Sequence, residues 1–166
     1  MEELNLLLNK KAAAAGRLTA LRFIDQALIA AGRFRTGSDA DALHDLRVAL
    51  RSLLGALESF APVLGGKQEF GKYIKRLQAA LRATGKARDA EVHAVCIKKH
   101  LPAGEPGSAE IVALFEERRE RWRQGLESEI QGISRWLSRK LQPRLAGSAR
   151  KRPGAEKPKG ALFREF

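Results

Sequence analysis

The sequence has little cysteine, proline or aromatic residue, and no long apolar run. Cys96 is the only cysteine, which excludes an intramolecular disulfide and fits a reducing compartment. The longest apolar stretches near the N-terminus, 6–8 and 12–15, are far shorter than the core of a signal peptide or a membrane span. We therefore expect a cytoplasmic protein that does not associate with membranes.

Sequence signatures of catalysis are also missing. The chain has no P-loop, no His-Glu-x-x-His motif and no paired carboxylates among its basic residues. Aromatic residues make up 6% of the chain. Few of them lie among the basic residues, so no stacking platform for single-stranded nucleic acid is evident. These absences predict a protein that is not an enzyme and requires no cofactor.

Positive charge, in contrast, is abundant. The 166 residues include 31 Lys and Arg but only 19 Asp and Glu, which gives a formal net charge of +12. A surplus of this size attracts anions, such as nucleic acid, polyphosphate or an anionic membrane face, and says little about the fold. The chain length corresponds to one domain, and an apolar content of 44% is sufficient for a core.

Apolar residues recur with helical spacing between the prolines. The pattern predicts helices over 3–34, 39–60, 67–83, 86–100 and 108–141, and the second of these should end before Pro62. Ser38 and Asp41 form a candidate capping box for that helix. No strand pattern appears. The sequence therefore predicts an all-α fold, a four- or five-helix up-down bundle, over residues 1–142.

The helical pattern stops at Pro143. The segment 143–166 contains seven Lys and Arg residues and two Glu residues, a net charge of +5. We predict that this segment is a basic, disordered tail.

The second predicted helix has a basic edge beside its leucine face. At about 100° per residue, His44, Arg47 and Arg51 fall within roughly 60° of one another and flank the apolar side. Arginine stems can lie along the border of the core while the charged heads stay in solvent. Cations at one-turn spacing suit a linear polyanion, whose charges also repeat. An ordinary solvated helix face is the alternative interpretation.

The third and fourth predicted helices carry further cations. Basic residues lie opposite the apolar face of the third helix or flank it, and continue into the fourth: Lys72, Lys75, Arg76, Arg82, Lys86 and Arg88. Asp89 lies in the first turn of the fourth helix. There it either stabilises the helix start or orients a neighbouring cation.

Four residues of metal-binding type, Asp89, His93, Cys96 and His100, share one face of the fourth helix. His93 and His100 are seven residues apart, which separates their attachment points by roughly 10 Å along the axis. Bonds from a metal to nitrogen are only about 2 Å long. We therefore predict no metal site, and we expect Cys96 to be a small buried apolar residue.

Two stretches resemble signatures of the CHAD domain, the conserved-histidine α-helical domain of prokaryotes. Residues 42–51 (ALHDLRVALR) are similar to its His-x-x-Arg-Val-x-x-Arg signature, and residues 84–92 (TGKARDAEV) to its Gly-x-x-Arg-Asp-x-(Asp/Glu)-Val signature. The resemblance implies two similar four-helix halves that bind inorganic polyphosphate along basic helical surfaces, at polyphosphate granules. It assigns binding by position to His44, Arg47, Arg51 and Arg88, with Asp89 beside them, and more loosely to Lys72, Lys75, Arg76, Arg82 and Lys86.

The chain departs from the family pattern in two respects. The first signature often continues with further arginines where this chain has Ser52 and Leu54, and a thinner stripe implies weaker binding. The resemblance also covers about residues 1–142, which corresponds to one half of the usual domain.

These observations predict non-catalytic binding of inorganic polyphosphate through the second to fourth helices. Two alternatives stay open. The basic tail could bind nucleic acid or another polyanion, including nucleic acid with only weak affinity. The chain could also be a truncated CHAD copy with little function. The half length further suggests a homodimer that rebuilds the two-half arrangement about a two-fold axis.

Overall fold

The fold consists of helices. The computed structural model describes residues 2–37, 41–65, 67–101 and 106–147. They form α1 (Glu2–Thr36), α2 (Ala42–Leu64), α3 (Lys67–Ala83), α4 (Gly85–His100), α5 (Ser108–Trp136), a short π-helix (Leu137–Leu141) and α6 (Gln142–Gly147). No strand occurs in these ranges, so the prediction of an all-α bundle is confirmed. In the same ranges, every helix is too short or too polar to span a lipid bilayer.

The core is built around the leucine face of α2. Leu46, Leu50 and Leu53 are completely buried, because spacings of three and four residues place side chains on one side of a helix. α1 makes the most extensive contact with α2. Both helices bury alanines, and small side chains allow two helix axes to approach closely. The buried alanines are Ala13, Ala20, Ala27, Ala30 and Ala31 on α1 and Ala42, Ala49, Ala56 and Ala61 on α2.

The remaining helices close the core from the other side. A row of aromatic rings joins α3 to the end of α5, with ring centroids 5.9 Å apart for Phe70 and Tyr73 and 6.1 Å apart for Tyr73 and Trp136. α4 packs mainly against α5 and less extensively against α3. α4 is therefore an edge helix, and most of its side chains outside the 87–90–94 contact face are exposed or half-buried.

α2 continues past a proline at which the sequence predicted its end. The helix runs through Pro62 to Leu64 instead of stopping at residue 60. Pro62 and Glu58 are both exposed, so solvent can reach the Glu58 carbonyl, which loses its helical N–H partner at the proline. Leu64 is buried, and this packing favours the extra turn.

Helical structure also continues past Pro143 to Gly147, whereas the pattern predicted that the last helix ends at residue 141. The amide of Gln142 donates to the Leu137 carbonyl, five residues back, and this wider turn precedes Pro143, which has no N–H. Buried Leu145 and the ion pair between Arg144 and Glu69 hold α6 against the bundle. The rest of the predicted tail, 148–166, and the predicted Ser38 cap lie outside the described residues.

Gly16 lies where α1 meets the end of α2. A Cβ atom at this position would stand 2.5 Å from Cγ and 2.7 Å from Cβ of Phe60, both closer than carbon atoms can approach. The glycine that weakens α1 by helix propensity is therefore required by packing. Gly32, in the same helix, has nothing within 4 Å of its Cβ position.

We expect Gly16→Ala to lower the free energy of unfolding by about 1–3 kcal/mol, because the methyl group overpacks the contact with Phe60. Gly32→Ala provides the control and should raise it by up to about 1 kcal/mol through helix propensity. Urea unfolding followed by circular dichroism measures both. Stabilisation by both substitutions would contradict the close contact between α1 and Phe60.

Candidate polyanion-binding surface

The basic edge of α2 borders its buried leucine face. His44 and Arg51 are exposed, whereas Arg47, between them, is half-buried. The neighbouring Leu46 and Leu50 are completely buried, so the edge lies at the boundary between core and solvent. The structure thus places His44, Arg47 and Arg51 along the same border of α2, at spacings of three and four residues.

Arg47 connects α2 to the junction between α3 and α4. Its Nη1 donates a hydrogen bond of 2.7 Å to the Leu81 carbonyl and one of 2.9 Å to Thr84 Oγ1. Thr84 is completely buried, and its hydroxyl in turn donates to the Ala80 carbonyl at 2.9 Å. A cation is favourable here because the last carbonyls of a helix have no helical partner and carry partial negative charge. We refer to these contacts of Arg47 as the Arg47 clamp.

Three charged residues, Arg51, Arg88 and Asp89, lie close enough to Arg47 to affect its pKa. Burial is the main cause that lowers the pKa of Arg47 from its usual value, and the nearby charge of Arg51 lowers it further. Asp89 opposes the shift and Arg88 adds to it. The guanidinium stays protonated at neutral pH, since arginine ionises far above it. The structure therefore brings Arg47, Arg51, Arg88 and Asp89 together, from both predicted signature stretches.

Arg88 forms an ion pair with Glu91, three residues further along α4. Its Nη1 lies 3.0 Å from Oε2 of Glu91, and its side chain is 24% exposed. The exposed Asp89 acts electrostatically on Arg47. The pairing with Glu91 restrains the guanidinium of Arg88 and leaves its other N–H groups for a ligand, since arginine has five such donors.

The predicted cations of α3 and the start of α4 are exposed. This holds for Lys72, Lys75, Arg76, Arg82 and Lys86. Two of them lie near aromatic rings: Lys72 Nζ is 5.1 Å from the centroid of Tyr73 and Lys86 Nζ is 5.9 Å from that of Trp122. Such contacts restrain a lysine ammonium without neutralising its charge. We call nine positions of α2, α3 and α4, eight Lys or Arg residues and one His, the basic surface: His44, Arg47, Arg51, Lys72, Lys75, Arg76, Arg82, Lys86 and Arg88.

Cys96 differs from its predicted environment. We expected a buried apolar residue, but the thiol is exposed, because it lies on an edge helix with few neighbours. Its Sγ is 3.6 Å from Nδ1 of His100, and that nitrogen is 2.9 Å from the Cys96 carbonyl oxygen. Among the described residues, no three His, Cys, Asp or Glu side chains are placed to share a metal ion.

A cleft between α4, α5 and the start of α2 was not anticipated from the sequence. Its volume is about 530 Å³, and its walls include Arg88 of α4 together with Arg119 and Arg123 of α5. The signal for the two α5 residues was the run of arginines within 118–123. No site was predicted from that run, since nothing in it indicates that α4 lies alongside α5.

The Arg47 clamp makes a stability prediction. Arg47→Met keeps most of the stem but removes the guanidinium, so it should lower the free energy of unfolding by about 1.5–3 kcal/mol, the range for hydrogen bonds to charged groups. Arg51→Met, at an exposed position, should change it by no more than about 0.5 kcal/mol. Urea denaturation compares the two variants. Equal effects would mean that the clamp does not stabilise the bundle.

Comparison with protein families identifies the chain at the level of its domain. The family profile of the CHAD domain matches residues 19–165, nearly the whole chain. No curated protein and no solved structure matches it. The matched region contains α2, α3 and α4 entirely, and with them both signature stretches, 42–51 and 84–92. The chain therefore belongs to the CHAD domain family.

Proposed function

We propose that this protein binds inorganic polyphosphate along the basic surface, without catalysis. The observation that carries the proposal is the convergence of Arg47, Arg51 and Arg88 at the junction of three helices. CHAD domains are associated in general with polyphosphate binding. Together, the family and the junction support a phosphate-rich ligand over an unspecified anion.

The nine positions divide into two roles. Arg47 is half-buried and engaged in the clamp, so it chiefly positions its neighbours, although its remaining N–H groups can still meet a phosphate. The exposed side chains of the basic surface form the direct contacts with the phosphate groups. Arginines donate two parallel hydrogen bonds to phosphoryl oxygens, and lysines act as point charges. Affinity then comes largely from the release of counterions.

A binding role is favoured over a catalytic one on chemical grounds. CHAD domains are generally binding domains. Hydrolysis of a phosphoanhydride bond requires an activated nucleophile or a metal ion as well as cations, and the basic surface supplies only cations and one imidazole. We therefore propose that the surface retains polyphosphate, at polyphosphate granules where these form.

The alternative is nucleic-acid or other polyanion binding through the C-terminal tail. One observation weakens it: Arg144 of α6, counted among the tail cations, is paired with Glu69 of α3. A chain truncated after Gly147 keeps Leu145, which is buried in the core, and removes the rest of the tail. If polyphosphate binding survives this truncation, the helices are responsible. If it vanishes, the tail is.

We expect the double variant Arg51→Gln/Lys75→Gln to weaken binding of long-chain polyphosphate about tenfold or more at low salt, since two phosphate contacts are lost. The dependence of log affinity on log salt should become shallower by about 0.7–0.9 for each lost contact. Isothermal titration calorimetry at several salt concentrations measures both quantities.

The matched control is Arg22→Gln/Arg139→Gln, which removes the same charge from exposed positions on α1 and the π-helix and should leave affinity nearly unchanged. RNA and duplex DNA serve as competitors at matched salt. The proposal fails if either competes as strongly as polyphosphate, or if both double variants weaken binding equally. Absence of polyphosphate binding by the wild-type chain would also contradict the proposal.

We further propose that two copies pair about a two-fold axis and join their basic surfaces into one groove, since isologous dimers are the commonest symmetric assembly. The prediction is a sedimentation coefficient of a dimer when polyphosphate is present. Analytical ultracentrifugation with and without the polymer measures it. A strict monomer under both conditions would exclude the dimer and leave the polyphosphate proposal intact.

A further inference from the structure

The cleft beside α4 is continuous with the basic surface but differs from it in chemistry. Arg88 belongs to both, because it lines the cleft and also acts electrostatically on Arg47. Beyond Arg88, the cleft wall on α4 carries Val92 and Val95, which are 46% and 62% exposed. The cleft that Arg88 lines therefore combines guanidinium groups with an apolar wall.

The α5 wall of the cleft holds two further guanidinium groups in fixed positions. Arg123 Nη2 donates to the Phe34 carbonyl at 3.2 Å, and its guanidinium carbon lies 5.0 Å from the centroid of the Phe34 ring. Arg119 Nε lies 3.1 Å from Glu116 Oε2. Both planes are restrained before any ligand arrives, and restraint of this kind lowers the entropy cost of binding.

A bare phosphate chain cannot make favourable contacts with all the residues that line this cleft. Exposed valines offer it no hydrogen bond, and the carboxylates of Asp41 and Glu91, which also line the cleft, repel it. A nucleoside can make favourable contacts with all of these groups. Its ribose hydroxyls and base amino groups donate to carboxylates, and the faces of its base pack on apolar side chains and guanidinium planes. The cleft volume of about 530 Å³ is within the range of small-molecule sites.

We propose that the chain binds nucleoside 5′-triphosphates, with the nucleoside in this cleft and the phosphates on Arg88, Arg47 and Arg51. This inference rests on the proposed phosphate-binding function of the basic surface and specifies what the adjoining cleft adds. The apolar wall of α4 then selects a phosphate chain that ends in a nucleoside over one that does not.

The test compares ATP with inorganic tripolyphosphate, titrated into the full chain in magnesium-free buffer at fixed salt. Tripolyphosphate carries at least as much negative charge as ATP, so charge alone favours it. We expect ATP to bind more tightly. Val92→Ser/Val95→Ser should weaken ATP binding roughly five- to tenfold by removing apolar contact and should leave tripolyphosphate binding unchanged. Both valines are substantially exposed, so the fold should tolerate serine.

Val48→Ser is the matched control, because Val48 is 44% exposed but faces α1 instead of the cleft, and it should alter neither affinity. The inference is overturned if tripolyphosphate binds as tightly as ATP, or if the valine variants change neither affinity. Either result leaves the proposed function standing when tripolyphosphate binds. Failure of the wild-type chain to bind either compound overturns both the proposed function and this inference.

Discussion

The guanidinium of Arg47 joins three helices at one point. Its backbone belongs to α2, and its Nη1 donates to the Leu81 carbonyl near the end of α3 and to the Thr84 hydroxyl just before α4. Thr84 is completely buried and bonded back to α3, so the receiving end of the contact has little freedom. The relative positions of α2, α3 and the start of α4 therefore depend on a cation at the border of the core, and those positions keep Arg51 and Arg88 near Arg47.

Gathering cations at this junction is unfavourable in the absence of a ligand. Burial, Arg51 and Arg88 all disfavour the charged form of Arg47, and Asp89 only partly opposes them. Glu91 offsets the charge of Arg88 through a direct ion pair. A bound polyanion relieves the same repulsion, since an opposite charge nearby favours each cation. Relief of this repulsion by a bound phosphate chain links the packing of the bundle to its proposed role.

Periodicity predicted the helices and the leucine face of α2 because both depend on local spacing. The family could also be predicted, from two short stretches that lie within the matched region 19–165. Contacts between distant elements could not be predicted from the sequence. A helical wheel places Arg47 at the edge of the core but does not indicate that the end of α3 lies within its reach. The helix ends at Pro62 and Pro143 were wrong because burial of Leu64 and Leu145 outweighs the local effect of a proline. The predicted burial of Cys96 was wrong because exposure on an edge helix depends on neighbouring elements that the sequence does not specify.

We propose that the basic surface around the Arg47 clamp receives the phosphate chain. A crystal structure of the protein with a short-chain polyphosphate tests this most directly. We expect phosphoryl oxygens within hydrogen-bond distance of Arg51 and Arg88, while Nη1 of Arg47 keeps its bonds to Leu81 and Thr84. Phosphate bound at the opposite side of the bundle or only at the C-terminal segment, with none beside α2, would contradict it.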